Sequence, residues 1–152
     1  MVQVNLFGPV DSILGAQVGI GDVLVVEAVL LVLVVGNFLT RKLAHNRHKA
    51  QAEEGAEAIT RFLPHEAMNV VLLLFAFYYV TASYHGGFIT SMFVVGLVLT
   101  DFFEFEARKA EARRGVDLQA PKGALAAATF TLAYVAYQTL FFVIEGPISA
   151  VI

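Results

Sequence analysis

The chain has no cysteine and no tryptophan among its 152 residues. The first absence rules out disulfides, thiolate metal sites and a cysteine nucleophile, and leaves the redox compartment unreadable. The second leaves Phe and Tyr as the only interfacial aromatics. Basic residues are missing from whole regions. Arg41, Lys42, Arg47, Lys49 and Arg61 form one group, Arg108, Lys109, Arg113, Arg114 and Lys122 the other, and nothing else in the chain is Lys or Arg. No lysine falls in the interior of an apolar run, Lys42 standing at the last turn of one, so a retinal Schiff base has no attachment point in mid-span. The four histidines are scattered, so bis-His haem ligation is not expected either, and no cofactor is assigned. Met1–Asp22 lacks the basic region that a secretory signal requires and reads as an external tail; its Gly15 and Gly19 lie outside any apolar 20-mer.

What is present is apolar bulk. The chain is 58% hydrophobic with a mean hydropathy of +0.72, more than a soluble domain of this size needs. The apolar residues come in blocks of about 20, the length that crosses a bilayer as a helix. Four spans are expected, at 23–43, 66–84, 88–105 and 124–144, in one membrane domain covering 1–152. Asp22 reads as the first N-cap and Pro64 suits the first turn of the second helix. His85-Gly86-Gly87 reads as a tight turn, and Glu145-Gly146-Pro147 as the end of the fourth span. The third helix is expected to run on to about Arg114, because no Pro or Gly interrupts Leu97–Arg114.

Both basic groups follow odd-numbered spans. Under the positive-inside rule the loops 44–65 and 106–123 are cytoplasmic and both termini lie outside. The expected class is therefore an all-α integral membrane four-helix bundle, N-out and C-out, with spans one and three extended into the cytoplasm. Val34–Gly55 and Val94–Gly115 agree at nine of twenty-two positions at an offset of sixty. This fits either a duplicated helical hairpin with parallel repeats or two helices that share only composition.

Glu27 stands in the first span, and an ionisable residue there is a candidate transport site. A lone Glu in the first of four helices is similar to the small multidrug transporters, although the one-sided charge distribution opposes the dual insertion those proteins use. Asp101, Glu104 and Arg108 share a face of the third helix and are further ion-binding candidates, with Glu104 and Arg108 expected to form an i, i+4 ion pair. His45, His48, His65 and Glu66 lie near the same depth as weak metal ligands, without the spacing of any established motif. Asn37, Asn69 and Gln138 are candidates for hydrogen bonds between helices, and Ala124, Ala128, Thr131 and Ala133–Ala136 for close helix packing. The aromatic clusters at Phe77–Tyr79, Phe102–Phe105 and Tyr134–Phe142 read as interfacial belts and packing. Arg108, Lys109, Arg113 and Arg114 are the candidate docking residues. No catalytic residue is assigned, because no nucleophile–base pair appears.

Segments along most of the chain carry a resemblance: LFGPVD (6–11), TRKLAHNRHKAQAEEG (40–55), PHEAMN (64–69), FYYVTASYHGG (77–87), GLVLTDFFEFEARK (96–109), APKGA (120–124) and AYQTLFF (136–142). The chain resembles an uncharacterised family of small four-helix membrane proteins from halophilic archaea. The resemblance implies an archaeal cell membrane at high salt and brings no activity. The acidic balance, with a formal charge of −3, agrees with it and argues against nucleic acid as a partner. The expected partners are the lipid bilayer and either further copies of the chain or a larger membrane complex. The expected function is that of a non-enzymatic structural or accessory subunit, the alternative being a small ion or solute transporter or channel that uses Glu27.

Overall fold

A computed structural model describes residues 6–150; the first five residues of the expected tail and the last two of the chain lie outside the described residues. Among these the chain is all-helical, with no strand beyond one isolated bridge between Gln17 and Leu24. The elements are α1 (Pro9–Leu14), α2 (Val25–Glu53), a 3₁₀ turn (Ala56–Ala58), α3 (Leu63–Ala82), α4 (Tyr84–Arg113) and α5 (Lys122–Ser149). Three of them, α3, α4 and α5, are long and apolar enough to cross a membrane. α2 is not among these three; its Glu27 and Arg41 both turn toward other helices.

Side-chain contacts fix the directions. Asn37 meets Asn69 and Thr40 meets His65, so α2 and α3 run antiparallel. Ser91 donates to the Ala76 carbonyl, Thr131 to the Phe93 carbonyl, and Thr139 to the Glu27 carbonyl. α3 packs on α4, α4 on α5, and α5 returns to α2, leaving α2 and α4 diagonal to each other.

The core is one inward stripe per helix: Val26, Leu30 and Val34 on α2, Leu72, Ala76 and Tyr79 on α3, Val94 and Leu97 on α4, Ala128 and Val135 on α5. On α2, α3 and α4 these recur every three or four residues and on α5 after seven, the spacing of one helix face. Ala124, Ala128 and Thr131 are fully buried and let α5 approach closely. Large apolar chains face outward, including Val32, Leu74, Phe103 and Phe130. A second small core of Ile59, Phe105 and Leu118 gathers where α2 and α4 run past the apolar stripe.

Helix ends differ from expectation in several places. α2 starts at Val25, capped by Glu27 from within rather than by Asp22, and α3 already starts at Leu63. His85, Gly86 and Gly87 form no turn. α3 ends at Ala82, Ser83 alone breaks the helix, and the three lie in the first turns of α4. The glycines serve close approach instead: a Cβ on Gly87 would sit 2.5 Å from the Tyr79 carbonyl oxygen. α5 runs on through Glu145-Gly146-Pro147 to Ser149, carrying Pro147 in its last turn. Part of the expected tail is also folded. α1 sits against α3, where the Tyr78 hydroxyl donates to Asp11 at 3.0 Å. α2 and α4 end just before Gly55 and Gly115, both at positive φ (120° and 69°).

Gly87→Ala should lower stability by about 2 kcal/mol or more, because the methyl group meets backbone that cannot move aside. Gly96→Ala, with nothing within 4 Å of its Cβ, should be neutral or stabilising. Thermal unfolding followed by circular dichroism in detergent distinguishes the two; equal melting points for both variants would refute the close approach.

Candidate functional site

The inward stripe of α2 changes character partway along. After Val34 it continues as Asn37, Arg41, Ala44 and His48, all buried. α3 supplies His65 and Asn69 one turn apart, and α4 supplies Asp101 after Val94 and Leu97. These polar residues meet on Asp101. Arg41 grips the carboxylate with both terminal nitrogens: Nη1 bonds to Oδ1 and Nη2 to Oδ2 at 3.0 Å. Asn69 Nδ2 donates to Oδ2 at 3.1 Å, and His65 Nε2 lies 3.2 Å from the same oxygen. Arg41 Nη2 also donates to Asn37 Oδ1 at 2.6 Å, and Asn37 Nδ2 donates to Asn69 Oδ1 at 2.6 Å. The far side of the His65 ring meets Thr40 Oγ1 at 2.9 Å. Arg41 is 2% exposed and the Asp101 side chain 11%. A buried charge pair is tolerable only with bidentate geometry and satisfied lone pairs, and this one has both.

Two helical turns further on, a second contact joins the same helices. Arg108, 6% exposed, donates from Nη1 to His48 Nδ1 at 2.7 Å. His48 must then carry its proton on Nε2, which donates to the Thr60 carbonyl at 3.0 Å. Burial first, and the adjacent Arg108 cation second, lower the His48 pKa to about 4. Burial also lowers that of Arg108 and, with Arg108 and Lys49, that of His45.

At the opposite end of α2, Glu27 accepts from the Leu24 N–H at 2.8 Å and from the Tyr79 hydroxyl. It borders an open pocket of about 350 Å³, which Asp22, Gln138, Phe142 and Glu145 also line. Leu30, Val34, Leu72, Val94 and Leu97, each at most 1% exposed, separate this end from the Asp101 cluster.

The remaining candidates disperse. Glu104 does not pair with Arg108; it accepts from the Gly123 N–H at 3.2 Å, at the start of α5, where a helix N-terminus favours a carboxylate. Glu66 pairs with Arg61 at 3.3 Å, and Arg61 lies over the Phe105 ring at 4.4 Å. Lys109 sits 5.9 Å from the same ring, and Arg113 reaches Glu57 at 3.5 Å, while Arg114 is exposed. His48, His65 and Glu66 border one small cavity beside Asp101, without His45, and among the described residues no three His, Asp or Glu side chains are placed to hold a metal. Gln138 bonds within its own helix to Tyr134 rather than across to another. The sequence reading missed Arg41 as the partner of Asp101, and Tyr79, taken for a belt residue, as the donor to Glu27. The offset of sixty was the usable signal, since Arg41 and Asp101 occupy equivalent positions of opposite charge.

Because His48 is held neutral, folding contributes stability above its unfolded pKa near 6.5. That stability is lost as pH falls from about 6.5 toward 4, by an amount on the order of 3 kcal/mol. His48→Gln keeps an acceptor for Arg108 but cannot titrate. Melting points between pH 7 and pH 4.5 should therefore fall further for the wild type than for His48→Gln, and identical slopes would rule the interaction out.

No curated protein and no solved structure matches the chain. A family model does, across residues 2–152, and the chain thus belongs to the family described as a domain of unknown function, DUF7313.

Proposed function

We propose that this protein is a four-helix integral membrane bundle acting as a non-enzymatic structural or accessory subunit, which docks on further copies of itself or on a larger membrane complex. The observation that carries the reading is the ordered end of α2 and α4. Past the apolar stripe these helices are locked together by Ile59, Phe105 and Leu118 and by the Arg108–His48–Thr60 chain. They frame a groove of about 240 Å³ bounded by Lys49, Ala52, Glu53, Ala112, Val116 and Leu118. A helical surface that mixes apolar and charged side chains suits docking, because groups already held in helices lose little conformational entropy on binding. Lys109, Arg113 and Arg114 stand beside it.

Clustering of all ten basic residues near this end supports a cytoplasmic location for it, with α2 as the fourth span and both termini outside. The acidic balance and the resemblance to haloarchaeal proteins support an archaeal cell membrane. Equivalent positions of the two sixty-residue units meet in parallel, 41 with 101 and 48 with 108, which favours a duplicated hairpin.

A second reading, a small ion or solute transporter, is favoured by the acidic pocket at Glu27, with Asp101 and Glu104 at the other end. The apolar residues between the ends oppose conduction through a single copy.

Native mass spectrometry of gently extracted protein should find a homo-oligomer or a second polypeptide at fixed stoichiometry. Arg113→Glu with Arg114→Glu should dissociate it, whereas Glu27→Gln should leave it intact and functionally silent. A bare monomer would count against the proposal, and loss of flux or ligand binding in Glu27→Gln with assembly preserved would establish the transporter reading instead. The chain's lack of cysteine makes topology directly testable. On intact cells a membrane-impermeant maleimide should label Ser149→Cys and not Lys49→Cys, and the reverse pattern would invert the orientation.

A further inference from the structure

A further groove lies where the second half of α2 passes the start of α5. It is open, about 370 Å³ in volume, and lined by Phe38, Leu39, Lys42, His45, Pro121 and Leu125 among others. Its accessible wall is apolar throughout, and no carboxylate contributes to it. Two other open pockets differ in this. Glu53 and Asp117 border the groove beside Lys49, and Asp22, Glu27 and Glu145 border the pocket at the opposite end.

Leu39 is 63% exposed and Leu125 37%, so the groove opens on the outer side of the helices rather than toward the core. Lys42 is exposed at its edge, and so is Lys122, the residue after Pro121. Among the described residues neither lysine takes part in an ion pair. The carboxylates at this level are engaged elsewhere. Asp101 is gripped by Arg41, Glu66 and Glu106 share Arg61, and Glu104 accepts from the Gly123 N–H. A second copy set alongside in the same orientation therefore brings no unengaged carboxylate to the two lysines.

We infer that this groove binds an anionic phospholipid, one acyl chain lying against Leu39, Pro121 and Leu125 and the phosphate meeting Lys42 and Lys122. Such binding rests on the proposed membrane placement, with this end in the cytoplasmic leaflet. A lysine lays its stem along apolar surface while its ammonium stays at the polar edge, so Lys42 serves both parts of the ligand. Each lysine close to an anionic headgroup adds about fivefold to binding. A soluble anion would use the lysines and leave the apolar wall wet. A zwitterionic lipid would cover the wall and gain little from the charges. An anionic lipid uses both.

The chain's lack of tryptophan supplies the test. Full-length protein carrying Leu39→Trp is reconstituted in vesicles of phosphatidylcholine and phosphatidylglycerol, with brominated acyl chains on one lipid or the other to quench tryptophan on contact. Phosphatidylglycerol should occupy the site at Leu39→Trp with a preference on the order of tenfold. Phe130→Trp, at a position 65% exposed on the outer face of α5, should be quenched by each lipid in proportion to its amount. Adding Lys42→Gln and Lys122→Gln should remove the preference at Leu39→Trp. Equal quenching there by both lipids in the parent protein would overturn the inference, and that result is read before any lysine is changed. Loss of the preference on adding inorganic phosphate would overturn it too, by assigning the lysines to a soluble anion. So would a Leu39→Trp that neither lipid quenches while both quench Phe130→Trp, since protein would then cover the groove. Quenching of neither reporter would instead remove the membrane placement itself.

Discussion

Arg41 and Asp101 form the interaction on which the rest of this structure depends. Neither charge is tolerable alone in the place it occupies, and removing one partner of such a pair typically costs about 3–5 kcal/mol. The pair as a whole adds much less than that to stability. What it supplies is register. α2 and α4 are diagonal across the helix packing, and the apolar stripe alone would tolerate sliding by a turn. A bidentate guanidinium–carboxylate contact tolerates no such slide, because its two bonds form at one depth only. Asn37 and Asn69 repeat the constraint between α2 and α3, each using its amide as donor and acceptor. Three helices are thereby fixed around one carboxylate.

The same logic runs in a second rung. Arg41 and His48 are seven residues apart, as are Asp101 and Arg108, so both contacts use the same helix faces two turns on. In the first rung a cation meets an anion. In the second a cation meets an imidazole, kept neutral by burial first and by the neighbouring cation second. The rungs are geometrically alike and electrostatically unlike: the first closes on a carboxylate, the second on a neutral ring.

How much of this was legible in the sequence depends on which forces acted locally. The apolar runs predicted the long helices to within a few residues, because burial periodicity and length are properties of a short window. Gly86, Gly87, Gly146 and Pro147 were misread as stops, since propensities describe isolated helices; Gly87 in fact lies so close to the α3 backbone at Tyr79 and Val80 that a Cβ would clash with it. The Glu104–Arg108 pair was expected from local spacing and lost to tertiary partners, the Gly123 N–H for one and His48 for the other. Arg41 was counted as one more positive charge after a span. A rule that sums charges for orientation cannot distinguish a solvated arginine from a buried one. Glu27 had a local answer in plain view, three residues after the Leu24 N–H that it caps.

The two polar ends are built on different principles, and the contrast bears on mechanism. At the Glu27 end a single carboxylate takes neutral donors, a backbone N–H and a phenol, beside an open pocket. Its loss would free a hydroxyl and one end of a helix. At the Asp101 end, charges are opposed among largely buried side chains, and the loss of one leaves its partner stranded. Between them Leu30, Val34, Leu72, Val94 and Leu97 offer neither water nor protons a polar foothold. Moving an ion from one end to the other would require these helices to separate along their whole contact, which would expose Arg41 and Asp101 to each other's absence. The polar network that gives the fold its register therefore also holds it shut, and that favours a protein whose work is done at its ends.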